Sequence, residues 1–172
     1  MKPLKPLITL SFVTSLALTL STKAQELPPE ITQVIKGMDE VLKCYQPDVQ
    51  PGRLEGSKTI QIYQSAKDSE QMLAVLTLAK YPSLERLKTE KTQIPLLVKK
   101  TKFNAREVQQ SQDATTLELL RALNLSVYDV ATLKIYQLSI HDLEIIVVEV
   151  TNNRGVVYTL DMSQFPFFIL CA

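Results

Sequence analysis

Tryptophan is missing from this chain of 172 residues, histidine occurs once, glycine four times and cysteine twice. Each shortage excludes something. Four scattered glycines leave no glycine-rich loop to cradle phosphates. The cysteines stand at 44 and 171, so the CxxC pair of thioredoxin-type redox chemistry is absent. With one imidazole, a zinc site would have to be carboxylate-rich, which is uncommon. His141 itself lies beside Asp142, with Ser139 close by. A Ser/His/Asp triad is a spatial arrangement that neighbours on one strand end rarely supply, so these residues read as a turn. Without tryptophan, a sugar-stacking platform would fall to tyrosine. Catalysis by carboxylates alone stays open, because Asp and Glu pairs form in three dimensions. The adjacent Asp39 and Glu40 are read as solvated surface. No catalytic residue, cofactor-binding residue or metal ligand is assigned, and no cofactor is expected.

What is present begins with the amino terminus. Lys2 and Lys5 precede an apolar stretch from Leu7 to Leu20, and Thr22-Lys23-Ala24 follows with small residues at the two positions a signal peptidase inspects. This predicts a secretory signal peptide over 1–24 and a single domain over 25–172. The stretch is short for a membrane span, and the competing reading is an uncleaved anchor. Residues 25–172 carry 16 basic and 18 acidic side chains, a net charge of −2. That argues against nucleic acid as a partner, and no membrane span is expected after cleavage. In an exported chain Cys44 and Cys171 are expected to form a disulfide. The competing readings are two free thiols, or a redox or metal pair.

The clearest fold signal runs from Leu143 to Leu160. Ile145, Ile146, Val147 and Val148 are consecutive and β-branched, which suits a pleated surface. Asn152-Asn153-Arg154-Gly155 supplies residues that tolerate positive φ, as a hairpin turn requires. Val156, Tyr158 and Leu160 alternate with polar neighbours. With Leu133–Ile140 upstream, this predicts a three-stranded antiparallel meander at the centre of the sheet. Apolar residues from Ile31 to Tyr45 recur at steps of three and four and predict a first helix. Asp48–Ser57 reads as loop and Thr59–Gln64 as a strand. Residues 72–79 are ambiguous between helix and strand, with helix favoured from the cap at Asp68 and continuing past Pro82 to Glu90. Ile94–Phe103 returns as a strand, with Pro95 at an edge or strand start. Capping pairs at Asn104/Glu107 and Thr115/Glu118 place a broken helix over 105–123. Asn124-Leu125-Ser126 matches a glycosylation acceptor, but Asn124 equally suits a helix end. Phe165–Cys171 predicts a final strand. The fold class expected is α+β: an antiparallel sheet with a C-terminal meander, and helices packed on it.

The stretch Ile60–Phe103, through Asp68 and Pro82-Ser83-Leu84, resembles the strand-helix-strand unit of envelope proteins related to a chloroplast protein-import component. No functional residue is carried across from it.

Charge is unevenly spread. From Lys80 to Arg106 there are eight basic and two acidic residues, densest at Lys99, Lys100, Lys102 and Arg106. These four are the candidate site for an anionic partner; the competing reading is an edge strand whose lysines discourage aggregation. The function expected is a non-enzymatic, periplasmic or secreted domain that binds an anionic envelope component or another protein. The alternatives are a hydrolase using carboxylates in a pocket, and a chaperone-like protein offering a strand edge or groove.

Overall fold

The computed structural model describes residues 25–84, 87–140, 142–162 and 170–171. The expected signal segment, His141 and residues 165–169 of the expected last strand lie outside these residues. In chain order the elements are α1 (Pro29–Ile35), β1 (Met38–Gln50), β2 (Arg53–Ser65), β3 (Met72–Lys80), β4 (Glu90–Asn104), α2 (Ala105–Gln110), α3 (Ala114–Ala122), a 3₁₀ turn (Val127–Asp129), β5 (Val130–Ile140), β6 (Leu143–Asn152), β7 (Val157–Asp161) and β8 (Leu170–Cys171). The strands form one sheet in the order β7-β6-β5-β4-β3-β2-β1-β8. Every neighbouring pair is antiparallel. The sheet is curled, and β8 crosses back to pair with β1 while also approaching β7.

This corrects the expected α+β architecture. The described residues are mostly strand, and the α-helices among them span six to nine residues each. They patch parts of one face and do not form a layer over the sheet. The C-terminal strands are no separate meander at the centre. They are the last links of one continuous meander, and β7 lies at its far end. The first predicted helix is overturned from Met38 onward, where β1 pairs with β2 from Met38↔Ser65 to Gln50↔Arg53. The expected loop at 48–57 is the tip of that hairpin. Gly52, at φ 76°, makes the turn. The helix expected over 72–79 is β3, so the strand-helix-strand resemblance fails as well. That run looked ambiguous because both of its faces are covered. Ala74 and Leu76 enter the main core, while Val75 is buried beside α1 on the opposite face. Among the described residues between Pro82 and Glu90 there is no helix, and Asp68 caps a turn instead, accepting from the Glu70 amide at 3.0 Å.

Local chemistry explains the helix boundaries. The Asn104 side chain accepts from Glu107 N–H at 3.1 Å, and the Glu107 carboxylate accepts from Asn104 N–H at 2.7 Å, closing a reciprocal cap on α2. Asp113 caps α3 by accepting from Thr116 N–H at 2.8 Å, in place of the expected Thr115. Those hydrogen bonds to the Thr116 amide and hydroxyl hold the Asp113 carboxyl below its ordinary value. Asn124, at φ 55°, lies just beyond α3 and ends it.

Two cores result. The first contains Leu42, Cys44, Ile60, Ile62, Ala74, Leu76, Leu96, Tyr136, Leu138, Ile145 and Val147. It includes no helical residue, so the curl of the sheet itself encloses this face, here called the inner face. The second lies on the outer face, where Val108 of α2 and Leu119 and Leu120 of α3 meet Leu133, Val148 and Val150. Cys44 and Cys171 are joined by a disulfide, with Cα atoms 4.0 Å apart across the β1–β8 pair. A disulfide suits an oxidising compartment. Among the described residues no helix is long and apolar enough to cross a membrane.

Candidate functional site

The inner face changes character along its length, and the strand register shows how. Cross-strand partners share a face, so the pairs extend into rows. One row reads Val98, Leu138, Ile145 and belongs to the apolar core. The next reads Lys100, Tyr136, Val147, Asp161. The third reads Lys102, Lys134, Glu149, Thr159, and the last Asn104, Thr132, Thr151, Val157. Within three rows the face passes from hydrocarbon to ammonium, carboxylate and hydroxyl groups.

The polar end is built from few fixed contacts. The Lys134 ammonium is paired with the Glu149 carboxylate in a partly buried ion pair. The Lys100 ammonium donates to Gln64 Oε1 at 3.0 Å, which ties β4 to β2 beyond the start of β3. Among the described residues Lys102 makes no hydrogen bond and no ion pair. It stands directly opposite Lys134, and like charges facing each other across a ladder are destabilising.

Tyr136 marks the floor. It is 2% exposed, and burial first, then the nearby Glu149 charge, pushes its hydroxyl up to about 12 from the ordinary 10.0. The folded state thus favours the neutral phenol. A raised folded pKa gives stability that is complete below pH 10 and lost as pH climbs through 12. The loss expected is roughly 2–3 kcal/mol. Urea unfolding across this window should show it, and Tyr136→Phe should remove most of the extra slope. An unchanged slope in the variant would mean that the phenol is not what titrates.

The predicted site residues are divided by this geometry. Lys100 and Lys102 share the inner face, two residues apart on β4. Lys99 pairs with Gln137 and points to the outer face, exposed. Arg106 is exposed on α2. Lys134, Thr132, Thr151 and Thr159 join the inner group and were not marked by sequence reasoning, because each sits on a strand whose neighbours in sequence are apolar or neutral. Asp39 and Glu40 carry no joint site: Asp39 is exposed opposite Gln64, and the Glu40 carboxylate accepts from the Gln61 side chain.

Other concavities are less organised. A cleft of about 580 Å³ at the opposite end of the sheet is lined by Asp48, Arg53, Glu55, Lys80 and Tyr81 among others, with both signs of charge. The Tyr81 hydroxyl there donates to Ser57 Oγ at 3.3 Å. A smaller one under α2 has an apolar floor of Phe103, Val108 and Leu133. No group of three or more His, Cys, Asp or Glu able to hold a metal ion occurs among the described residues.

Fold and site together define a curled, all-antiparallel domain whose enclosed face ends in a cluster of lysines and threonines. No known family, no curated protein and no solved structure matches this chain.

Proposed function

We propose that this chain is an exported binding domain that holds an anionic envelope component at the lysine end of its inner face. The observation that carries the reading is the Lys102–Lys134 pair. Two ammonium groups face each other across the ladder, and only one of them has a carboxylate partner. An arrangement that costs stability yet persists at an accessible position is the kind found where a ligand completes the charge balance. Export is supported by the signal-like amino terminus and by the disulfide, which suits an oxidising compartment. The contribution of sequence clustering is reduced: Lys99 and Arg106 lie off this face and are not needed by the site.

Retention on an immobilised polyanion such as heparin tests the proposal. The oxidised protein should be retained at low ionic strength and elute as salt screens the contact. Lys100→Gln with Lys102→Gln should elute at clearly lower salt, and Lys99→Gln should not. Absence of retention, or equal elution of all three proteins, would sink the reading. The Lys134 side chain is kept intact in this test, since removing it would strand the buried Glu149 carboxylate.

A further inference from the structure

Resting on the anion-binding reading above, we infer that the ligand group is a phosphomonoester dianion. Three features of the inner face select it. The cations are all lysines: Lys100, Lys102 and Lys134. Arginine is the better partner for a planar carboxylate, which it grips with two parallel bonds. Lysine is a compact point charge with rotatable donors and suits a tetrahedral group approached from several sides.

The second feature is hydroxyl supply. Thr132 and Thr151 face each other in the row beyond the lysines, and Thr159 ends the lysine row beside Glu149. All three are half-buried. Each offers an O–H donor to oxygens that the ammonium groups leave unsatisfied.

The third feature is charge. The acidic groups on the strands at this end of the face are Glu149, Asp161 and, opposite Gln64, the exposed Asp39; Asp48 and Glu90 lie on the same face at its far end. Glu149 is taken by Lys134. Asp161 ends the Lys100 row, three strands along on β7 and next to Val147 of the core. Lys100 holds only the neutral Gln64 amide, and Lys102 holds nothing among the described residues. Two ammonium groups without a carboxylate partner among the described residues therefore remain, on Lys100 and Lys102. A phosphomonoester carries about −1.5 to −2 at pH 7, which matches them; a phosphodiester or sulfate ester carries about half that.

Calorimetric titration of the purified, oxidised chain at fixed ionic strength tests this, with inorganic phosphate, sulfate and acetate as probes. Phosphate should bind about tenfold more tightly than acetate at pH 7.5, the scale set by one charge-assisted hydrogen bond. Its affinity should fall between pH 7.5 and pH 5, as the second phosphate proton returns near pH 6, while sulfate shows no such fall. Lys102→Gln should lose about tenfold in phosphate affinity. Lys99→Gln should lose none, and Thr151→Val a smaller factor than Lys102→Gln. Lys102 is exposed, so its replacement leaves the fold intact, and a melting temperature equal to or above that of wild type verifies that, since the facing Lys134 charge is relieved. Glycerol phosphate and vesicles bearing phosphatidic acid then separate the sources. Binding to both, or to either one alone, supports the phosphomonoester, with phosphatidylcholine vesicles as the blank. Equal affinity for phosphate and acetate would overturn the inference. So would a response to Lys99→Gln as large as that to Lys102→Gln. If heparin retention still depends on Lys100 and Lys102 while phosphate shows no preference, the ligand class falls and the binding function stands. If heparin is not retained either, both fall.

Discussion

Leu138→Ala is expected to cost about 2–5 kcal/mol of stability, the range for deleting a buried leucine side chain. Leu97→Ala should stay within about 0.5 kcal/mol. The two residues lie on neighbouring strands, a single register step apart. Leu138 pairs with Val98 and is 0% exposed, whereas Leu97 pairs with Ser139 and is 75% exposed. Only the face differs. Leu138 meets Ile145 across the β5–β6 pair in a core to which no helix contributes, so no neighbouring helix can shift to close the gap. Urea unfolding followed by circular dichroism measures both variants. Equal costs would mean that the inner and outer faces have been exchanged, and the lysine site would lose its floor.

Cutting the disulfide should have an effect of similar size. Cys171→Ala is expected to lower stability by about 2–5 kcal/mol, since the bond closes most of the chain into one loop. Cys44 is fully buried in the main core and can remain there as a thiol. The partner is the greater loss. Among the described residues β8 comprises Leu170 and Cys171, which pair with β1 through Cys44↔Cys171 and Tyr45↔Leu170. Without the bond, little ladder remains to hold it on β1. Denaturation with and without reductant checks this. Reduced wild type should match the variant, and the variant should be indifferent to reductant. A variant as stable as the oxidised wild type would show that β8 docks without help.

The two outcomes bear differently on function. The lysine end is made by β4, β5, β6 and β7, while the disulfide holds β8 on β1; β8 approaches β7 but contributes no residue to the lysine and threonine rows. Cys171→Ala should therefore weaken the protein while leaving its phosphate and heparin affinities close to those of wild type. A parallel collapse of binding would show that the curl, held by the bond, shapes the site.

The sequence was most legible where a feature depends on near neighbours. Gly155, at φ 79°, makes its turn, and the Asn152 carboxamide accepts from the Arg154 and Val156 amides, all within a few residues. The cap of Asn104 and Glu107 is equally local. Pro95, expected at an edge or strand start, was less legible. It lies inside β4, which starts at Glu90 and is flanked by β3 and β5, and it pairs with Val75; among the described residues the β4–β5 pairing runs from Leu97↔Ser139. Periodicity misled where both faces of a strand are covered. Leu73–Leu78 shows no alternation, since neighbouring residues enter different packed environments. The stretch from Met38 to Tyr45 mimicked a helical stripe, with a register shift between Glu40 and Leu42 breaking the period of two.

By itself, then, the sequence determined the Asn152–Gly155 turn, the cap of Asn104 and Glu107, the pairing of two lone cysteines and the concentration of positive charge near residue 100. Their causes are short-range or compositional, and so they survive in a linear string. Only the tertiary structure decided the single continuous sheet, its curl and the membership of the lysine site. Strand pairing is a long-range choice. Once Lys102 was registered against Lys134, Lys99 was turned to the opposite face, because side chains alternate with a period of two and one step in register exchanges inside for outside.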